Sequence, residues 1–377
     1  MLADIHHSGF SRSYLFHPYE IAFCGFSGSG KTTLITKLIQ ILSSKYSIGY
    51  IKHDAHRFQM DTEGKDTHKA FQSGAVTIFI NDSQHQAQIS KNPMFHPAQK
   101  LQWLEHDLVF LEGYKNFQIP KWVFLDKARE ILQLIPDRSD NIIGYIVDEP
   151  DLDVDNSKNC FLRDDIQSIL EHTLSYLVKR SKTMPIFGLL LAGGKSQRMG
   201  KDKALLSYHQ NQTQLSFCTD LLKKHCETVM LSVRSDQTQN IAYNNCNLLP
   251  DIFTEMGPMG GILTALKQYP ATAWLVMACD LPYVDDNLLH TLIAKRNPFR
   301  IATAFKSPFN QMPEPLCTIY EPHAMYPLLQ ALGLGYLSPQ KTLFDFHVEG
   351  ISIEISDHIK LQNVNTPQEY NDVQSKK

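Results

Sequence analysis

The 377-residue sequence lacks most of the features that mark secreted, membrane-spanning or nucleic-acid-binding proteins. Its seven cysteines include no CxxC pair, which argues against a zinc ribbon and against a disulfide framework. No apolar run approaches the ~18 residues of a membrane-spanning helix. A net charge of -3 gives no basic footprint for nucleic acid. We therefore expect a cytoplasmic protein that binds neither nucleic acid nor membrane.

The first positive signal is a glycine-rich loop near the N-terminus. Residues 25–32 read GFSGSGKT and match every fixed position of the P-loop pattern G-x4-G-K-[ST]. An apolar strand is predicted before the loop and an amphipathic helix after it, so that successive N–H groups form a concave phosphate site. The predicted nucleotide-binding residues are Gly25, Gly28, Ser29, Gly30, Lys31, Thr32 and Thr33.

A metal ion is expected beside this loop. Lys31 is predicted to reach the β- and γ-phosphates, and the Thr32 hydroxyl is predicted to bind Mg²⁺. The predicted strand in DLVFLEG ends at Glu112, which is either a second group near the metal or only an acid at a strand end. No NKxD motif occurs, so these residues indicate a nucleoside triphosphate without distinguishing GTP from ATP.

A second phosphate loop, of different design, follows a strand predicted over residues 186–191. Residues 191–206 read LAGGKSQRMGKDKALL, in which a Gly193-Gly194 turn precedes Arg198 and Lys203. Glycine lets the backbone approach an oxygen-rich ligand closely. The cations are expected to neutralise the charge that develops as a phosphorus centre reacts.

Acidic and glycine-rich segments complete the second predicted site. Asp280 follows an apolar strand at the sheet edge where α/β proteins bind ligands, and it is expected to bind Mg²⁺ or else to cap a turn. Asp251 precedes the loop EMGPMGG and either accepts hydrogen bonds from guanine or shapes a turn. Asn363 and Asn365 share one face if extended. They contact phosphate or the second substrate, or only shape the turn.

The alternation of predicted strands and helices indicates an α/β protein with two doubly wound, mainly parallel sheets. The predicted domains are an N-terminal extension (1–18), a P-loop NTPase domain (19–180) and a second nucleotide-binding domain (184–377). A strand is predicted over residues 76–80 of the first domain. A helix over residues 162–179 is predicted to end that domain, and a polar linker is predicted at 180–185.

The first domain resembles the MobB family, the P-loop GTP-binding adapters of molybdopterin guanine dinucleotide synthesis. The blocks GFSGSGKTTLITKLI, YIKHD, DTEGKDTHKAFQSGA and LVFLEGYK carry this resemblance and occur in family order. The resemblance implies GTP binding, weak GTP hydrolysis and dimerisation.

The second domain resembles MobA, the molybdenum cofactor guanylyltransferases, through LAGGKSQRMGKDKALL, GPMGGI, CDLPYV and NVNTPQE. The resemblance implies a Rossmann-like nucleotidyltransferase. The implied GTP-binding residues are Leu191, Ala192, Gly193, Gly194, Lys203, Asp251, Gly260 and Asp280, and the implied catalytic residues are Arg198, Lys203 and Asp280. The chain departs from the family pattern at MPEPL (312–316), where many members have His/Arg-Pro-Thr, and at Ser232 and Arg234, where others carry asparagines.

Together the two resemblances imply a fusion protein that transfers GMP from GTP to molybdenum-molybdopterin with Mg²⁺ as cofactor. Molybdoenzyme apoproteins and other cofactor-synthesis proteins are the implied partners. A cytidylyl- or sugar-phosphate nucleotidyltransferase remains an alternative, because the second loop occurs in a wider superfamily. A protein that is mainly a GTP-dependent binding adapter is the other alternative.

Overall fold

The computed structural model describes residues 14–53, 63–90, 101–135, 141–149, 159–192, 203–209, 212–346 and 348–375. These residues form two compact units, Tyr14–Leu170 and the described part of Glu171–Lys377. No helix among the described residues is long and apolar enough to cross a membrane.

The first unit is built on a six-stranded parallel sheet in the order β2-β5-β1-β6-β7-β8. Its strands are β1 Glu20–Cys24, β2 Ile48–Lys52, β3 Thr77–Asn81, β4 Gln86–Ser90, β5 Leu108–Glu112, β6 Lys121–Phe124, β7 Ile142–Val147 and β8 Cys160–Leu162, and its helices are α1 Lys31–Leu42 and α2 Asp66–Gln72. Every residue of β1 and β5 is buried, as expected for central strands that helices cover on both faces. The chain reverses its direction of strand addition at β1, so that the P-loop lies at a switch point.

Two elements of this unit differ from the sequence-based prediction. The predicted strand at 76–80 forms β3, which pairs with β4 in an antiparallel hairpin separate from the main sheet. The helix predicted from residue 162 begins later, because Cys160–Leu162 adds to the edge of the main sheet as β8. Asp165 then accepts a 3.2 Å hydrogen bond from the Ser168 N–H and caps the helix α3, Ile166–Lys182.

The second unit is built on a seven-stranded sheet in the order β11-β10-β9-β12-β14-β13-β15. Its strands are β9 Ile186–Leu191, β10 Thr228–Val233, β11 Asn247–Pro250, β12 Ala273–Ala278, β13 Ala302–Lys306, β14 Pro313–Tyr320 and β15 Glu349–Ser352. Its helices are α4 Gln214–Lys223, α5 Pro258–Gln268, α6 Asp286–Ala294, α7 Met325–Gly333, α8 Pro339–Asp345, α9 Ile355–His358 and α10 Pro367–Ser375. Only β14 runs against its neighbours, which confirms the predicted mainly parallel α/β architecture.

The second sheet also changes direction beside its phosphate-loop strand. From β9 the chain adds β10 and β11 on one side and then β12 on the other. Every residue of β12 is buried between two apolar clusters, one on each face of the sheet. The polar residues that follow β9, β10, β11 and β12 therefore meet at one sheet edge, the place where open α/β sheets bind ligands.

Candidate nucleotide-binding sites

The P-loop of the first unit connects β1 to α1 and depends on glycine for its shape. Gly28 and Gly30 have φ values of 75° and 86°, which lie in the left-handed region that favours glycine. A β-carbon on Gly25 would lie 2.8 Å from Phe124 Cβ, so the loop passes close to β6. The Lys31 ammonium donates a 2.6 Å hydrogen bond to the Phe26 carbonyl across the loop. The loop is thus held in an arched conformation over the helix N-terminus.

Glu112 at the end of β5 is the acid that faces the P-loop. Its carboxylate oxygens each lie 2.9 Å from the Thr32 hydroxyl, and one accepts a 2.6 Å hydrogen bond from Tyr50. The Lys52 ammonium lies 3.5 Å from the other oxygen. Sequence reasoning singled out Thr32 and Glu112, and the structure brings them together. It missed Tyr50 and Lys52, because the parallel pairing of β2 with β5 is what brings these two residues to Glu112.

This hydrogen-bond network sets the charge of the site. Burial raises the pKa of Glu112, but the hydrogen bonds from Tyr50 and Thr32 and the Lys52 charge outweigh burial and leave the pKa below its ordinary value. Burial lowers the pKa of Lys31, and the charge of Glu112 partly offsets this change. A hydroxyl and an ionised carboxylate at adjacent positions are hard oxygen ligands of the kind that Mg²⁺ prefers. The donor set therefore fits the predicted metal.

In the second unit, three backbone hydrogen bonds join the ends of four parallel strands, β9 to β12. The Ala192 N–H donates to the Ser232 carbonyl at 3.1 Å, and the Cys279 N–H donates to the Leu191 carbonyl at 3.3 Å. The Asp251 N–H donates to the Val233 carbonyl at 2.8 Å. These bonds bring Leu191, Ala192, Asp251 and Asp280, which are far apart in sequence, to one edge of the sheet.

Part of the second phosphate loop lies outside the described residues, including Gly193, Gly194 and Arg198. Lys203 begins a 3-10 helix, Lys203–Leu205, and only its backbone is described. Their roles stay predictions from the sequence.

Asp251 has a partner that the sequence did not assign. The Ser232 hydroxyl donates a 2.7 Å hydrogen bond to Asp251 Oδ1. Burial raises the pKa of Asp251, while the Ser232 hydrogen bond and the Arg234 charge act in the opposite direction. Asp251 accepts no other side-chain hydrogen bond within the described residues, so its second oxygen is available to a ligand. Ser232, one of the departures from the family pattern, therefore positions a predicted guanine-binding residue.

The glycines at the start of α5 are required for close packing. A β-carbon on Gly260 would lie 2.2 Å from the Phe253 carbonyl oxygen, and one on Gly261 would lie 2.4 Å from Ser232 Oγ. Gly257, with φ 54°, precedes the helix and Pro258 occupies its first turn. Gly260 was predicted to contact GTP. In the structure its lack of a side chain lets α5 approach the backbone beside Asp251.

Asp280 lies just beyond β12 and near a second carboxyl group. The antiparallel register of β12 and β14 pairs Met277 with Cys317, so that the end of β12 lies beside the start of β14, which carries Glu314. Burial and the Asp280 charge raise the pKa of Glu314 to about 7. Glu314 belongs to the MPEPL segment that departs from the family pattern. Two carboxyl groups at one sheet edge provide oxygen ligands that fit Mg²⁺.

The segment that carries Asn363 and Asn365 is attached to this edge. The Val364 N–H donates a 2.9 Å hydrogen bond to the Asp280 carbonyl. Glu369 accepts hydrogen bonds from the Asn365 and Thr366 N–H groups at 2.6 and 3.0 Å, while its own N–H donates to the Thr366 hydroxyl at 3.3 Å. This arrangement resembles a capping box at the start of α10. It holds the two asparagines near Asp280.

The two units thus define a class of protein with two candidate nucleotide sites, each at a switch point and each with an acid beside the strand that leads into a predicted phosphate loop. Residues 20–148 match the family "Molybdopterin guanine dinucleotide synthesis protein B", and residues 188–347 match the "MobA-like NTP transferase domain".

Individual relatives agree with these family matches. A molybdenum cofactor guanylyltransferase of Pseudomonas aeruginosa is 31% identical over 48% of this chain and 90% of its own length. A molybdopterin-guanine dinucleotide biosynthesis adapter protein of Haemophilus influenzae is 30% identical over 36% of this chain and 78% of its own length. The chain therefore belongs to both families, to the adapter family through its first unit and to the guanylyltransferase family through its second.

A relative that carries a bifunctional name is also similar. The molybdenum cofactor biosynthesis bifunctional protein of Synechocystis is 39% identical over 189 residues. The alignment covers 50% of this chain and 54% of that protein, so the chain matches only about half of the relative's length.

Proposed function

We propose that the second unit transfers GMP from GTP to the terminal phosphate of molybdenum-molybdopterin and releases pyrophosphate. The observation that carries this proposal is the meeting of Asp280, Asp251 and the start of the phosphate loop at one sheet edge. The family match of residues 188–347 supports it. The names of the relatives supply guanine as the base and the molybdenum cofactor as the product.

The proposed reaction needs no covalent intermediate with the protein. A phosphate oxygen of the second substrate forms a bond to the α-phosphorus of GTP as the bond from that phosphorus to the pyrophosphate oxygen breaks. Mg²⁺ held by Asp280 would neutralise phosphate charge. Arg198 and Lys203, from the predicted phosphate loop, stabilise the charge on the α-phosphate and the leaving group. Asp251, oriented by Ser232, accepts hydrogen bonds from guanine N1–H and N2–H₂.

The proposed role of the first unit is a GTP-binding adapter for the same pathway. Lys31 and the loop N–H groups bind the phosphates, and Thr32 with Glu112 hold Mg²⁺. Weak GTP hydrolysis, dimerisation through this unit and contact with cofactor-synthesis proteins or molybdoenzyme apoproteins belong to the same proposal. A cytoplasmic location stays a prediction from the sequence.

Pyrophosphate release tests the transferase proposal. The full-length protein is mixed with Mg²⁺, labelled GTP or CTP, and either molybdenum-loaded molybdopterin or a sugar phosphate. Release is expected only with GTP and the pterin. Asp280→Asn is expected to lower the rate by about 100-fold or more, as expected for the loss of a group that stabilises transition-state charge. Asp286→Asn removes an exposed acid near the start of α6 and serves as the matched control.

Three outcomes would contradict the proposal in different ways. Release with a sugar phosphate but not with the pterin would replace the substrate. Full activity of Asp280→Asn would refute the metal assignment. Lys31→Ala is expected to change transfer by less than about threefold, because the P-loop belongs to a compact unit separate from the one that carries Asp280. A loss as large as that of Asp280→Asn would show that the two units are coupled in catalysis.

A further inference from the structure

An arginine that neither sequence motif includes lies over the P-loop of the first unit. Arg163 directly follows β8, three strands away from β1 in the sheet. A β-carbon on Gly30 would lie 2.9 Å from Arg163 Cδ, 3.2 Å from its Nε and 3.4 Å from its Cζ. The guanidinium group is therefore in van der Waals reach of the last glycine of the phosphate loop.

Two contacts fix the position of this arginine. The Arg163 N–H continues the β7–β8 ladder with a 2.9 Å hydrogen bond to the Val147 carbonyl. Its guanidinium Nη2 forms an ion pair with Asp148, the residue that directly follows β7. The Arg163 Nε is buried and has no hydrogen-bond partner among the described residues. The side chain as a whole remains 35% exposed, so that a ligand can reach it.

The arrangement of the strands indicates which part of a nucleotide lies near Arg163. Thr32 and Glu112 mark the metal and terminal-phosphate end of the site, on the β5 side of the loop strand β1. An extended nucleotide whose phosphates follow the loop then places its nucleoside on the opposite side of β1. Strands β6, β7 and β8 lie there, and Asp148 and Arg163 occupy the ends of the last two.

We propose that Arg163 selects guanine in the first unit by donating hydrogen bonds to O6 and N7, while Asp148 holds the guanidinium plane in place. Guanine presents two acceptors on this edge, whereas adenine presents an N6 donor beside N7, so a bidentate arginine favours guanine. This proposal rests on the proposed binding of GTP by the first unit. It supplies a source of base selectivity in a chain that lacks an NKxD motif.

Nucleotide titrations of the full-length protein test the assignment. Fluorescent GTP and ATP analogues are titrated against the unmodified chain and against Lys31→Ala, and the difference isolates the P-loop site. Unlabelled ITP and 7-deaza-GTP then compete for that site. ITP keeps O6 and N7 and is expected to bind within about threefold of GTP, whereas 7-deaza-GTP is expected to bind about tenfold more weakly because N7 is lost.

Variants at the arginine then separate the base contact from charge. Arg163→Ala is expected to weaken GTP binding about 10- to 100-fold while ATP binding changes little. Arg163→Lys keeps the charge without the bidentate geometry, and we expect it to lose the same selectivity. Lys37→Ala removes one exposed cation from the outer face of α1 and serves as the control, with unchanged affinities.

The contradicting outcomes are distinct. Equal weakening of GTP and ATP in Arg163→Ala would assign the arginine to phosphate and overturn the base contact. Much weaker binding of ITP than of GTP would assign selectivity to the 2-amino group instead. If Lys31→Ala removes no binding component, the proposed GTP site itself fails. If Lys31→Ala removes a binding component but Arg163→Ala keeps the preference for GTP over ATP, the GTP site stands and only the role of Arg163 is refuted.

Discussion

The two units reach the same site topology with opposite charge arrangements. In each, a buried strand that ends in or just before an acid lies parallel to the phosphate-loop strand: β5 with Glu112 beside β1, and β12 with Asp280 beside β9. Glu112 receives hydrogen bonds from Thr32 and Tyr50 and lies beside a lysine. Asp280 instead lies near Glu314, whose pKa is raised by burial and by the Asp280 charge. The first acid is stabilised as an anion, whereas the second lies near a carboxyl group that burial and the Asp280 charge help to keep protonated.

The units also use glycine for different purposes. Gly28 and Gly30 give the first loop backbone angles that other residues rarely adopt. Gly260 and Gly261 have ordinary backbone angles but leave no space for a side chain between α5 and its neighbours. Replacing one of these glycines should therefore mainly disturb the loop conformation in the first unit and the packing around α5 in the second.

The largest expected effect comes from Gly260→Ala. The added methyl group would lie 2.2 Å from the Phe253 carbonyl oxygen, a backbone atom that cannot move without shifting the chain. We expect the free energy of unfolding of the second unit to fall by about 3 kcal/mol, the upper end for overpacking. Gly333→Ala is the control, because nothing lies within 4 Å of the position that its β-carbon would take. Calorimetry of both variants measures the difference, and equal transitions would contradict the packing role.

The next prediction concerns Glu314, the carboxyl group near Asp280 in the second unit. In the absence of Mg²⁺, Glu314 stays protonated in the folded state up to about pH 7, whereas its ordinary pKa is 4.5. The folded state therefore binds more protons between these values, and its stability falls as the pH rises, by about 2 to 3 kcal/mol. Glu314→Gln should remove this loss and raise the unfolding temperature at pH 8.

Glu112→Gln should have the opposite sign. The lowered pKa of Glu112 means that its ionised form stabilises the folded state above the ordinary pKa, and that this contribution is lost as the pH falls. The variant should therefore unfold at a lower temperature than the unmodified chain at neutral pH. Unfolding temperatures from pH 4 to 8 in chelator test both variants. Unfolding temperatures that shift in the same direction in both variants would contradict the proposed difference between the two sites.

Local sequence signals were enough to predict the parts of each site that lie on consecutive residues. The strand, loop and helix around Lys31 follow from the P-loop pattern and its apolar flanks, and the structure has strand and helix where they were expected. The strand that leads to Asp280 was predicted in the same way, from one apolar run.

Contacts that depend on strand register could not be predicted. Glu314 meets Asp280 only because β14 runs antiparallel to β12, and no local pattern specifies that register. Arg163 reaches Gly30 from the edge of the sheet, because the end of β8 and the turn after it take the place of the first turn of the helix predicted from residue 162. Apolar periodicity alone extended that helix to Leu162. The polar β4 segment gave no strand signal, so the hairpin partner of β3 was missed.

A smaller effect is expected at Tyr50, whose hydroxyl donates a 2.6 Å hydrogen bond to Glu112. Tyr50→Phe should lower the free energy of unfolding by about 1.5 kcal/mol, in the range for hydrogen bonds to charged groups. The matched change in the second unit is Tyr326→Phe, which removes a neutral 2.7 Å hydrogen bond from Gln330. We expect about 0.5 kcal/mol there. Urea unfolding measures both, and equal losses would show that Glu112 is not the stabilised anion described above.

The smallest expected effect concerns the capping box that supports Asn363 and Asn365. Glu369→Ala removes the acceptor of the Asn365 and Thr366 N–H groups and should cost about 1 kcal/mol, as for other helix caps. Asp165→Ala removes the cap of α3 at a similar cost and is the control.

The kinetic consequences of the two cap variants should differ, because the segment before α10 is bonded to the Asp280 backbone through Val364. If the asparagines contact the second substrate, Glu369→Ala raises the KM for the pterin severalfold and leaves kcat nearly unchanged. The lost contact would stabilise the bound substrate and the transition state equally. Asp165→Ala should change neither constant. An unchanged KM in Glu369→Ala would leave Asn363 and Asn365 as turn-forming residues, and the second site would then consist of the groups that follow β9, β11, β12 and the start of β14.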